Sequence, residues 1–141
     1  MLPRINLLQQ NTKFIYTYKI LHNNSECQLI QNTFPFPERC RHVVTPEGHL
    51  YVTGGFLPLL RMFVDNTFIL DDHRSTLVPL QRMKKERADH AILYCKDLIY
   101  VFGGMSITPQ TSSQLQSLTH CEVYSILDDT WSELPPMTHA R

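Results

Sequence analysis

The hydrophobic and polar positions of residues 89–104 fall into two short runs, Ala91–Cys95 and Leu98–Phe102, separated by the polar pair Lys96-Asp97. Aliphatic and aromatic residues in such runs suit a pleated, half-buried surface, so the stretch predicts a tight β-hairpin. Gly103-Gly104 closes the second run, where glycine permits a conformation or a close approach that other residues resist. Residues 41–55 repeat the pattern. His42 answers His90, Val43-Val44 answer Ala91-Ile92, Leu50-Tyr51-Val52 answer Ile99-Tyr100-Val101, and Gly54-Gly55 answer Gly103-Gly104. The glycine pairs lie roughly fifty residues apart, and self-similarity at that period marks a repeat architecture.

The register extends outward. Leu80 and Met83 precede Arg87 as Leu134 and Met137 precede Arg141, and Asp71-Asp72 and Asp128-Asp129 stand before these closing segments. Each unit therefore reads as hairpin, Gly-Gly, variable loop, third strand, acidic turn, fourth strand and Leu-x-x-Met. Four strands in about fifty residues are what a propeller blade requires. Residues 13–20 and 27–33 match the third and fourth strands of a preceding unit, with a polar turn at 22–26 and Leu29 at the place of Trp131. The pattern divides the chain into the second half of a blade at 1–38, full blades at 39–86 and 87–138, and the start of another at 139–141.

The fuller copy, with Gly103, Gly104, Tyr124, Trp131 and Leu134-Pro135-Pro136-Met137 followed by Arg141, resembles the Kelch repeat. Gly54, Gly55, Leu80, Met83 and Arg87 supply the other copy, which has Leu77 where that family usually carries tryptophan. The resemblance implies an all-β fold, a partial Kelch-type β-propeller of four-stranded antiparallel blades, about two and a half in number. Rings of this kind close with about four to eight blades, so the expectation is a segment of a longer protein. An open arc would otherwise leave strand edges unpaired.

Composition narrows the function classes. The balance of 13 basic and 13 acidic residues gives no reason to expect nucleic acid or an acidic membrane as partner. No apolar run approaches the roughly 20 residues that span a bilayer, and residues 1–10 lack a signal-peptide pattern. Cys27, Cys40, Cys95 and Cys121 contain no C-x-x-C pair. Isolated thiols beside strands fit a cytoplasmic compartment.

Strand alternation places the loops at 56–66 and 105–118 on one face with the connections at 34–40 and 84–88. The first loop is apolar, and the second is rich in Ser, Thr and Gln and reads as a mobile surface loop. This face carries Arg39, Arg61, Lys84, Lys85 and Arg87. Arginine captures carboxylates bidentately and aromatic neighbours enrich interfaces, which makes Arg61, Phe63 and Arg87 candidate partner-binding residues. The competing reading ties Arg39 and Arg87 into the structure between blades. His42 and His90 sit a blade apart without a third ligand, so no metal site is expected. No nucleophile elbow, zincin motif or P-loop occurs, and the acidic pairs read as turn formers. No catalytic residue and no cofactor are expected.

The resemblance implies a non-enzymatic protein–protein interaction module, used in that family to recognise ubiquitin-ligase substrates, bind cytoskeletal protein or act as a scaffold. The alternative it implies is a fragment of a Kelch-propeller enzyme such as a copper oxidase or sugar epimerase, with its site on the loop face of the ring.

Overall fold

The computed structural model describes residues 15–20, 25–30, 36–107 and 114–141, the first two segments as backbone strands only. Expectations placed on residues 1–14, 21–24, 31–35 and 108–113 lie outside the described residues. Every regular element among those described is a strand. A two-stranded antiparallel ladder, β1 (Ile15–Ile20) with β2 (Ser25–Ile30), comes first. The next four-stranded sheet runs β3 (Arg41–Val44), β4 (Leu50–Thr53), β7 (Thr67–Asp71) and β8 (Thr76–Pro79) in spatial order, interrupted in sequence by the small hairpin β5 (Phe56–Leu57) and β6 (Met62–Phe63). The last repeats it with β9 (Ala91–Cys95), β10 (Leu98–Phe102), β13 (Cys121–Ser125) and β14 (Thr130–Leu134), interrupted by β11 (Met105–Ile107) and β12 (Leu115–Ser117). The described sheets do not close into a ring.

Side chains alternate across each sheet, so one face of the second sheet carries Ile99, Tyr124 and Trp131 in one row and Val101 with Glu122 in the next. Its apolar members pack on the back of the first sheet, against Tyr51, Val43, Ile69, Leu80 and Met83. The matching face of the first sheet carries Leu50, Val52, Phe68, Leu70 and Leu77, a separate core that includes Cys40 and Phe36. Each core is therefore the same face of successive repeats. Tyr124 and Trp131 face one another with ring centroids 5.1 Å apart, and the indole Nε1 donates across the interface to Thr67 Oγ1 at 3.1 Å and Gln81 O at 3.0 Å. Trp131 thus fastens the outer strand of one sheet to its predecessor while keeping its polar atom satisfied.

The glycine pairs lie where successive repeats meet. A Cβ on Gly54 would fall 2.4 Å from the Arg87 carbonyl oxygen, and one on Gly103 would fall 2.3 Å from that of Arg141. Both glycines have positive φ, at 60° and 59°, so conformation and space exclude a side chain together. Gly55 N donates to Arg87 O and Gly104 N to Arg141 O, each at 2.7 Å.

Two sequence expectations are corrected here. His42 and His90 do not hold the same place. Arg41 pairs with Thr53 and Ala91 with Phe102, so His42 matches Ile92 and lies two positions beyond the place of His90. Cys40 occupies that place instead, lying under Gly55 as His90 lies under Gly104. The same shift makes Arg39 the counterpart of Asp89 rather than of Arg87, and both adopt left-handed backbone, at 57° and 53°. A displacement of two leaves every side chain on its expected face, which is why periodicity alone accepts it.

Residues 56–57 and 62–63 of the first variable loop, and 105–107 and 115–117 of the second, pair as strands, which composition did not imply. After each glycine pair the chain enters a short hairpin whose first strand bridges to the connection before the sheet: Phe56 to Glu38 and Met105 to Ala88. Backbone hydrogen bonds of 2.7–3.0 Å form each bridge. These backbone groups lie beyond the four-stranded sheets and find their partners locally.

Candidate functional site

The connection from β8 to β9 is held by a buried charge cluster. Arg87 is 0% exposed. Its Nη1 donates to Gly103 O and His120 O, both at 2.8 Å, and its Nη2 donates to Glu122 Oε1 at 2.7 Å. Glu122, equally buried, also accepts the backbone N–H of Lys84 at 2.7 Å and of Lys85 at 3.0 Å. Burial draws the Arg87 pKa below its ordinary value, while the adjoining Glu122 carboxylate works in the opposite direction. The pair is thus an inter-repeat clamp whose principal partners are inside the protein.

This corrects the assignment of Arg87 as a partner contact. Its guanidinium reaches no solvent because it is consumed by three carbonyls, those of Lys85, Gly103 and His120, and a carboxylate. Phe63 is corrected for a similar reason. It is buried and packs on Phe56, centroids 5.0 Å apart, where it staples the β5–β6 hairpin. Glu122 escaped sequence reasoning, although its signal was present. A lone carboxylate between Cys121 and Val123 in an apolar strand is rarely buried unless a cation meets it.

Arg61 lies in a different setting. It is exposed at the tip of the β5–β6 hairpin, beside exposed Leu59, Leu60 and Met62. It lines a groove of about 420 Å³ between this hairpin, the 82–86 connection and β11. Met62, Val64 and Ile107 supply apolar wall, and Arg82, Asp65 and Glu86 supply charge. Arg82 reaches Asp65 at 3.4 Å and Lys85 reaches Glu86 at 3.2 Å. Of the three proposed contacts, Arg61 and Phe63 both line this groove, and Arg61 is the exposed one.

The remaining candidate groups have structural partners. Thr53 Oγ1 and His90 Nε2 stand 2.7 Å apart, and burial, with Arg87 and Arg41 adding to it, lowers the His90 pKa to about 3. Burial raises the Cys40 thiol to about 12, leaving it protonated and unreactive. Asp71 Oδ1 accepts the amides of His73 and Arg74, whereas Asp129 Oδ1 accepts Tyr124 Oη at 2.7 Å and Gln81 N at 3.0 Å. The first acid shapes its own turn, and the second also ties two repeats together.

A family model described as the Kelch motif matches residues 86–138. That span encloses β9 through β14, the sheet that carries Trp131 and the Gly103-Gly104 pair. The matched span carries a Kelch motif, and the two four-stranded antiparallel sheets are typical of partial Kelch-propeller blades. The chain is similar in structure to a fungal alcohol oxidase of the AA5 family in complex with copper, with 16% sequence identity and a TM-score of 0.65. The match covers 92% of this chain and 29% of that protein, so the chain spans under a third of it. No curated protein sequence matches. Matching solved chains number 130, a breadth that makes the shared backbone evidence of fold rather than of one activity.

The oxidase corrects the expectation of a non-enzymatic scaffold. A backbone similar to this one also occurs in an enzyme, so missing local motifs do not argue against catalysis. Propeller loops bring groups together from distant parts of the chain, and short spacings cannot report that convergence. Kelch propellers also mediate protein contacts in general, but no described residue selects a ubiquitin-ligase substrate or a cytoskeletal protein. Copper itself does not fit the described residues. No three His, Cys, Asp or Glu side chains among them gather to hold a metal, and His90 already engages Thr53. No helix among them is long and apolar enough to cross a membrane.

Proposed function

We propose that this chain forms a blade wall of a propeller enzyme, with the reacting groups supplied outside the described residues. The observation that carries the reading is the backbone shared with the copper-complexed alcohol oxidase over 92% of the chain. The contribution of this segment is positional. The Arg87–Glu122 clamp and the Trp131 bonds hold successive blades together, and the loops beside Gly55 and Gly104 are presented on one face. Preorganised walls of this kind place groups for chemistry without taking part in it. A cytoplasmic location belongs to the same proposal, on the ground that Cys40, Cys95 and Cys121 are free thiols.

The test uses the complete product of the gene, incubated with Cu(II) and assayed for oxygen consumption and peroxide release with a panel of primary alcohols. Alcohol-dependent turnover above the copper blank supports the reading. A folded product without turnover on alcohols, and without epimerase activity on sugars, overturns it.

A further inference from the structure

We propose that the groove between the β5–β6 hairpin and β11 binds a small monocarboxylate with an apolar body. This goes beyond the catalytic reading and does not depend on it. The groove volume of about 420 Å³ lies within the roughly 300–1,000 Å³ of small-molecule sites. Its wall combines the aliphatic surfaces of Met62, Val64 and Ile107 with a cation at one side.

The charges argue for a single negative group. Asp65 answers Arg82, and Glu86 answers Lys85. The two cations and two acids on the wall balance in number, but Glu86 is engaged by Lys85 from outside the groove, so Arg61 has no side-chain partner among the described residues. A carboxylate would match the planar guanidinium bidentately. A second acid on the ligand would meet Asp65 and Glu86, so a dianion is disfavoured by the same lining.

The position of Arg61 is also prepared in advance. Its backbone has φ 50°, a conformation uncommon for a residue with a side chain. Successive hydrogen bonds from Leu60 N to Leu57 O and from Arg61 N to Pro58 O, both 3.2 Å, hold the turn. The Phe56–Phe63 ring pair closes the hairpin beneath it. Less backbone freedom is then lost when a ligand arrives.

Octanoate titrated into the intact chain and followed by ligand-observed NMR tests the proposal. One site is expected, with octan-1-ol and octanedioate each binding at least about fivefold more weakly, since each spoils one half of the match. Arg61→Gln should weaken octanoate about tenfold, the effect of losing one charge-assisted contact. Ile107→Asp, which puts a carboxylate on the apolar wall, should weaken it at least as much, and thermal melting verifies folding in both variants. Absence of octanoate binding overturns the proposal. So does equal binding by octan-1-ol, or unchanged binding in folded Arg61→Gln.

Discussion

Where the second sheet buries Glu122, the first buries Phe68. The two residues hold the same place, opposite Val101 and Val52 respectively. The row below them differs in the same way, with Tyr124 opposite Trp131 in one sheet and Leu70 opposite Leu77 in the other. One repeat is thus fastened to its predecessor by a charge clamp and an indole hydrogen bond, and the other presents an entirely aliphatic and aromatic row. Both solutions satisfy the same backbone. Apolar packing is forgiving of exact partners, whereas a buried ion pair tolerates only its own counterpart. The clamped interface therefore specifies which surfaces meet, and the apolar one supplies burial without that selectivity.

The sharpest way to break this contrast is to remove one side of the clamp. Glu122→Ala should destabilise the protein by about 3–5 kcal/mol in chemical denaturation, because Arg87 would remain buried without its acid. The double variant Arg87→Met with Glu122→Phe, which copies the apolar row, should recover most of that loss. If the single variant costs under about 1 kcal/mol, the clamp is not buried as described and the contrast fails.

Next in size is the indole. Trp131→Leu copies Leu77 and should cost about 2–4 kcal/mol, combining a cavity with the loss of bonds to Thr67 and Gln81. The exchange in the other direction, Leu77→Trp, should also destabilise, by about 1–3 kcal/mol, because Leu77 is already buried in the first core and an indole would overpack it. A neutral outcome for Trp131→Leu in a melting experiment would mean that the two rows are interchangeable.

A third prediction concerns pH. His90 is held at about 3 in the folded protein against an ordinary 6.5, so the unfolded chain binds the extra proton first as pH falls. Its contribution is complete above pH 6.5 and is lost progressively towards pH 3, at up to about 1.4 kcal/mol per pH unit. Cys40, at the matching place in the first sheet, contributes no such slope over this range. Denaturation midpoints of the parent and His90→Gln between pH 7 and 4 measure the difference. Parallel profiles would remove the assignment.

The smallest effect tests what the two glycine junctions share. Gly54→Ala drives a Cβ to 2.4 Å from Arg87 O, and Gly103→Ala drives one to 2.3 Å from Arg141 O. Both incur left-handed strain of about 1–2 kcal/mol. The two variants should lose comparable stability in thermal melting. A neutral outcome in either would show that its junction yields to a side chain.

Much of the fold was legible because its determinants are local. Alternation in residues 91–102, the glycine pair and the closing Leu-x-x-Met each follow from what a short segment can do by itself, and together they repeat. The site was less legible. Arg61 and Arg87 read alike as basic residues on one face, yet one lines a groove and the other is enclosed. Nothing within a few residues of Arg87 announces Glu122, which arrives from a strand of the same following sheet.

By itself, then, the sequence determined the period, the four-stranded unit and the face on which each apolar residue of the four-stranded sheets lies. A two-residue period distinguishes faces but not a shift of two, so the true partners of His42 and Arg39 depended on the turns. Residues 45–49 turn the first hairpin and Lys96-Asp97 the second, and strand pairing across those unequal turns puts Cys40 opposite the role of His90. Tertiary structure alone decided that Arg87 meets Glu122, that Phe63 turns inward and that Arg61 stays out. The reason is physical: periodicity is a property of one segment, whereas burial of a charge depends on whether another segment supplies its counterpart.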